Sequence, residues 1–193
     1  MFRIILPLIV AAPSYAAPFA YITNQGSNDV SVIDLANNKV VATVPVGKAP
    51  AGVAVSSAAG KAFVTNPESK DMSVIDLKTN RVIDTVPAGD GPVGIAASPN
   101  GKRVYVADWF NNRVLAYDAA THEKISVIPV GRAPAGIAVD PSGDVLYVAN
   151  RDADTVSVID AMENKAIAEI AAGHHPFALA INGNGTRLYA LNV

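Results

Sequence analysis

The chain has three histidines in 193 residues. Two of them, His174 and His175, are adjacent in the stretch AAGHHPFALAI, residues 171–181. Side by side they make a poor zinc pair, because neighbouring side chains diverge and a catalytic zinc site needs three protein ligands. One histidine could serve as an axial haem ligand, yet no haem attachment motif accompanies it. Asp152 and Asp154 form a D-x-D pair without the further acidic ligands and glycine of a calcium loop. GNGTRL from Gly183 starts like a dinucleotide fingerprint and fails at its last glycine. There is no cysteine, so thiol chemistry and disulfides are excluded. No G-x-S-x-G elbow exists, and no serine has a convincing base. The residues thus predict no catalytic group, no metal site and no cofactor.

What is left is chemistry of contact. Trp109, the only tryptophan, and Phe110 stand together in ADWFNNRV, residues 107–114. Large aromatics in a polar loop bury much apolar area when a partner arrives. They could equally cap a blade edge or cover a channel, and the sequence leaves both readings open.

These residues are positioned by a repeat. Tyr21-Ile22-Thr23-Asn24 recurs as Phe63-Val64-Thr65-Asn66, Tyr105-Val106-Ala107-Asp108 and Tyr147-Val148-Ala149-Asn150, and begins again at Tyr189. The spacing is 42 residues each time, without insertion or deletion. Asp34, Asp76, Asp118 and Asp160 keep that spacing, as do Gly47, Gly89, Gly131 and Gly173, and then Pro50, Pro92, Pro134 and Pro176. Each unit predicts four short strands, in the first unit Ala20–Thr23, Val30–Ile33, Val40–Val46 and Gly52–Val55, separated by Gly, Pro, Asn and Asp. Four strands in this length match one blade of a β-propeller. The expected fold is all-β: four four-stranded blades plus the start of a fifth, stacked so that each buries its neighbour's apolar face.

YITNQGSNDVSVIDLANNKVVATVPVGKAPAGVAV, residues 21–55, closely resembles the YVTN-type β-propeller repeat. The resemblance runs from about Phe19 to Val193. It implies a mostly exported or cell-surface class of propellers. Their relatives include haem-binding nitrite reductase domains and proteins of periplasmic quinone-dependent oxidation. Such propellers usually have about seven blades. Four units plus one strand therefore predict an open arc, a truncated propeller or one completed by another chain. If the strand Phe177–Ile181 completed the first blade and closed a four-bladed ring, the starting strand of the fifth unit, Arg187–Asn192, would be left over. It repeats Ala20–Asn24, so the two would compete for one place. An open arc would leave apolar faces uncovered, which favours association, including homo-oligomers.

A residue type that recurs at one repeat position serves the blade; a type that appears once is freer to serve a ligand. The glycine of G-x-x-P recurs in every unit, and the expectation is a backbone angle that other residues resist. His122 aligns with Asn38, Asn80 and Asn164 and reads as a left-handed turn residue on the rim opposite the histidine pair. After the recurrent glycine come Lys48, Asp90, Arg132 and His174, then Ala49, Gly91, Ala133 and His175. Lys48, Asp90, Trp109, Phe110, Arg132, His174 and His175 are therefore the candidate contact residues. A polar rim around a channel mouth and a solvated loop that accepts any polar residue both fit them.

Composition narrows the partner. Fifteen basic against 17 acidic residues give no excess to release phosphate counterions, which disfavours nucleic acid. Met1–Arg3 with the apolar run Ile4–Ala12 and Ser14-Tyr15-Ala16 predicts a secretory signal over residues 1–16, cleaved after Ala16. The propeller domain would then span 17–193, periplasmic or secreted, with no transmembrane segment. The reading is an exported, non-catalytic scaffold that binds a protein or small ligand through its loop rim. The alternative is a cofactor-binding or maturation protein of a haem- or quinone-dependent redox system.

Overall fold

The computed structural model describes residues 18–193, so the expected signal segment lies outside the described residues. Seventeen antiparallel strands form five sheets arranged as an arc of blades. The first sheet is β1 (Phe19–Asn24), β2 (Asp29–Asp34) and β3 (Lys39–Pro45). Three four-stranded sheets follow. One holds β4 (Val53–Ser56), β5 (Lys61–Asn66), β6 (Asp71–Asp76) and β7 (Arg81–Pro87). The next holds β8 (Pro92–Ala97), β9 (Arg103–Asp108), β10 (Arg113–Asp118) and β11 (Lys124–Pro129). The last complete one holds β12 (Pro134–Val139), β13 (Val145–Asn150), β14 (Thr155–Asp160) and β15 (Lys165–Ala171). β16 (Pro176–Ile181) and β17 (Leu188–Asn192) make a two-stranded fifth sheet.

The sequence repeat and the sheet are out of phase by one strand. Val53 pairs with Val64, so the fourth strand of each unit is the innermost strand of the next blade. Covalent linkage thus staples every sheet to the one before it. The innermost strands β4, β8, β12 and β16 line the axis side by side.

Strands in the middle of the arc carry near-continuous apolar runs because both of their faces are covered. Ala62, Phe63 and Val64 of β5 are buried in succession, as are Val104, Tyr105, Val106 and Ala107 of β9. Tyr21, Val30, Val32 and Val44 of the first sheet pack on Ala62, Val64 and Ile75 of the second. Tyr105, Val114 and Ile128 meet Leu146, Val148 and Ile159 in the same way two junctions later.

The recurrent aspartates are turn residues. Asp34 accepts the N–H of Ala36, Asp76 those of Lys78 and Thr79, Asp118 those of Ala120 and Thr121, and Asp160 those of Met162 and Glu163. The same turns place Asn38, Asn80, His122 and Asn164 at φ of 55°, 52°, 63° and 51°. His122 is therefore the left-handed turn residue that its alignment indicates. Its ring also bridges two blades: Nδ1 donates to Asp84 at 2.6 Å, and Nε2 accepts from Lys61 Nζ at 2.9 Å.

The glycine of G-x-x-P is a correction. Only Gly89 has a left-handed φ, 94°; Gly47, Gly131 and Gly173 do not. These glycines are required by proximity. A Cβ at Gly47 would lie 2.6 Å from Asn66 Nδ2, and one at Gly131 2.6 Å from Asn150 Cγ. The left-handed residues stand two places later: Ala49, Ala133 and His175, with φ of 53°, 52° and 52°.

Candidate functional site

The loops from outer strand to next inner strand meet the loops from second to third strand, and hydrogen bonds lock them into one rim. Lys48 donates its backbone N–H to Ser69 Oγ at 2.9 Å and accepts at its carbonyl from the N–H of Glu68. Asp90 takes Lys70 Nζ at 3.1 Å on Oδ1 and Asn111 Nδ2 at 3.0 Å on Oδ2. Those contacts, Asn111 first and then Lys70, hold its carboxyl below the usual carboxylate range. Arg132 Nη2 donates to the carbonyl of Asp152 at 2.7 Å.

The histidine pair is organised by Asp154. Asp154 Oδ1 accepts the backbone N–H of His175 at 2.8 Å, and Oδ2 accepts from His174 Nδ1 at 3.1 Å. These two bonds lower the Asp154 pKa, the backbone bond contributing most. Asn28 and Asn112 occupy the sister positions and accept the N–H of Ala49 and Ala133. So the backbone of the pair is blade architecture, while the two imidazoles are peculiar to this blade. The His174 side chain is 93% exposed, and the His175 ring donates from Nδ1 to the carbonyl of Arg151 at 3.2 Å.

Arg151 connects the histidines to the aromatics. Its guanidinium carbon lies 5.9 Å from the centre of the Trp109 ring, within cation–π range. The Trp109 ring lies 6.2 Å from that of Phe177, tilted by 57°. Trp109 and Phe110 start a short 3-10 turn, Trp109–Asn111, which ends at left-handed Asn112, φ 52°. Phe110 folds over Gly91, where a Cβ would come within 2.6 Å of its ring. Its side chain is otherwise open, and the residue is 73% exposed. With Pro67 and Val93 these rings line an apolar groove of about 280 Å³. It adjoins a second groove of about 300 Å³ along the inner strands, and Val93 and Phe177 border both.

The structure thus gathers Trp109, Phe110 and, through Arg151, His175 into one continuous surface. Asp90 and Arg132 are bonded to the turns that carry Trp109–Phe110 and Arg151, through Asn111 and the carbonyl of Asp152, while Lys48 is tied to Ser69 in a sister loop of the rim. Sequence reasoning missed Phe177, Pro67 and Arg151. Phe177 replaces Ala51, Val93 and Ala135, so the test of unique repeat positions would have found it. Pro67, Trp109 and Arg151 occupy a single repeat position, with Gln25 as its first member. Among the described residues no group of three or more His, Cys, Asp or Glu is placed to hold a metal ion.

Residues 57–142 match the sequence model of the YNCE-like β-propeller family. Over 36 residues, 19% of the chain, it is 58% identical to PE-PGRS family protein PE_PGRS18 of Mycobacterium tuberculosis, of which that stretch is 8%. Hydrazine synthase of Kuenenia stuttgartiensis superposes with a TM-score of 0.81 at 26% identity, over 88% of this chain and 51% of that one. The β-propeller domain of Cps50 (Swd1) from Myceliophteria thermophila superposes at 0.72 and 17% identity, over 88% of this chain and 61% of that one. The chain therefore spans about half the length of the hydrazine synthase chain it matches.

Proposed function

From a chain that is a β-propeller repeat protein, we propose a non-catalytic binding scaffold, exported by residues 1–16, that captures a protein partner on one rim. The observation that carries this reading is the Trp109–Phe110–Phe177 surface. It is an apolar patch with a cationic edge, set on loops that are otherwise polar. A rim of this kind supplies rigid aromatic anchors at the centre and solvated charges around them, the arrangement that concentrates binding energy in few residues. His174 and His175 contribute polar contacts at its border, and Lys48, Asp90 and Arg132 lie on the sister loops.

The test is capture of partners from the exported fraction by the wild type and by Trp109→Ala/Phe110→Ala, with a Lys48→Ala control. Each aromatic truncation at an anchor is expected to cost at least about 2 kcal/mol of binding, roughly thirtyfold or more. Folding, followed by circular dichroism, should be unchanged, and Lys48→Ala should bind nearly as wild type. Equal capture by the aromatic variant would remove the site.

A second reading is favoured by the 26% identity to a hydrazine synthase chain: service in a haem- or quinone-dependent redox system outside the cytoplasm. His174 would then be the residue to ligate haem iron, since its Nδ1 is committed to Asp154 and its ring is exposed. An absorption spectrum of protein purified from its native compartment decides between the readings. A Soret band lost in His174→Ala supports the second, and a colourless protein rejects it.

A further inference from the structure

On the rim opposite Trp109, each blade reaches across to the left-handed turn residue of the next. Tyr21 donates its hydroxyl to Asn80 Oδ1 at 2.9 Å. At the following junction Phe63 has no hydroxyl, and Lys61 takes over. Its Nζ reaches the carbonyls of Ala119 at 2.7 Å and Ala120 at 3.2 Å, and His122 Nε2 at 2.9 Å. Those are three acceptors for the three N–H bonds of an ammonium. At the third junction Tyr105 and Arg103 stand where Phe63 and Lys61 stand. Arg103 Nη1 donates to the carbonyl of Ala161 and, at 3.3 Å, to Asn164 Oδ1. The guanidinium thereby takes the acceptor that the tyrosine uses at the first junction. Tyr105 is fully buried, and its hydroxyl has no partner among the described residues. Arg103 makes its side-chain bonds through Nη1, which leaves Nε and Nη2 without an acceptor among the described residues.

Both side chains line one cavity of about 230 Å³ between the blades of β8–β11 and β12–β15. That is room for a small molecule rather than a single water. Burial raises the pKa of Tyr105, with Arg103 beside it pulling the other way, so the hydroxyl keeps its proton at neutral pH. An arginine offers no acceptor, so the phenolic proton must be met from outside the pair. Ser98, also in the wall, is already committed: its hydroxyl donates to Asn100 Oδ1 at 2.8 Å and accepts the Arg103 N–H at 3.0 Å. Lys102 adds a second positive charge to the lining and Asp144 one negative charge, and Met162 supplies an apolar wall.

We propose that this cavity binds a small monocarboxylate, one oxygen accepting from the Tyr105 hydroxyl and the other from Arg103 Nε or Nη2, with its alkyl end against Met162. A planar carboxylate matches the arginine fork. The lining carries one net positive charge, and Asp144 repels a second negative charge, which sets the site against a phosphate dianion. The cavity lies between two interior blades, away from the aromatic rim, so it stands whether or not that rim captures a protein.

The experiment titrates the full chain with propionate, acetate and phosphate at constant ionic strength, at a pH where phosphate is a dianion, and follows amide and methyl signals by NMR. Propionate is expected to saturate one site, to move the Met162 methyl signal, and to bind more tightly than acetate or phosphate. Tyr105→Phe copies Phe63, and Arg103→Lys copies Lys61 while keeping the charge. Each should weaken propionate at least about tenfold, the usual cost of losing one hydrogen bond to a charged group, with circular dichroism unchanged. Asp144→Asn should bind phosphate more tightly than the wild type does. No saturable shift with propionate would overturn the inference and leave the hydroxyl to ordered water. So would propionate binding indifferent to both Tyr105→Phe and Arg103→Lys, or phosphate bound by the wild type as tightly as propionate.

Discussion

At the scale of single residues the informative site is Asp108, the one acid at a position otherwise held by asparagine. In sister blades Asn66 donates to Asp71 at 2.6 Å and to Ser73 at 3.0 Å, and Asn150 donates to Thr155 and Ser157. In the third blade the polarity is reversed. Asp108 Oδ2 accepts from Arg113 Nε at 2.8 Å and from Asn111 Nδ2 at 2.9 Å, and Oδ1 accepts the N–H groups of Asp90 and Gly91 at 3.1 Å. Leu115 stands where Ser73 and Ser157 stand. The negative charge has moved from the third strand to the second, and its neighbours have moved with it. Asp108→Asn alone turns an amide donor toward two donors inside a buried site, and should cost about 1–3 kcal/mol. Adding Arg113→Asp and Leu115→Ser recreates the sister network and should recover most of that loss. Urea denaturation of the four forms measures it as a cycle; failure of the added changes to recover stability would refute the equivalence.

At the scale of elements, close approach of inner strands fixes the arc. A Cβ at Gly136 would sit 2.6 Å from the carbonyl oxygen of Phe177 and 3.1 Å from the Cα of Ala178. Gly94 lies still tighter against the carbonyl of Ala135. No left-handed φ is involved at either, so the demand is purely steric. Gly136→Ala should cost about 1–3 kcal/mol by overpacking, seen as a melting temperature lower by several degrees. Gly183→Ala, which meets nothing within 4 Å, should leave it unchanged. The strands themselves were legible in the sequence because the 42-residue spacing aligns them, and His122 was legible because its three sisters are asparagines. The phase of the blade was not, since pairing of Val53 with Val64 rather than with the preceding strands leaves no mark on periodicity. The role of the G-x-x-P glycines was misread for a related reason. A glycine demanded by a neighbour's side chain and one demanded by φ look alike until Asn66 and Asn150 are seen beside them. The candidate site was half legible: Trp109 and Phe110 announce themselves as aromatics, but Phe177 and Arg151 join them only once β16 and the turn between β13 and β14 are folded onto the same rim.

At the scale of the whole molecule, stability should fall from the middle of the arc toward both ends, because each blade is held mainly by its neighbours. β5, β6, β9 and β10 are buried on both faces; β15 is exposed along its length, and β17 along nearly all of it. Hydrogen exchange at low protein concentration should therefore leave β9 and β10 protected to the level of global unfolding, while β15, β16 and β17 open locally and exchange far sooner. The ranking separates a cooperative single core from a stack: equal protection in all strands would reject the stack.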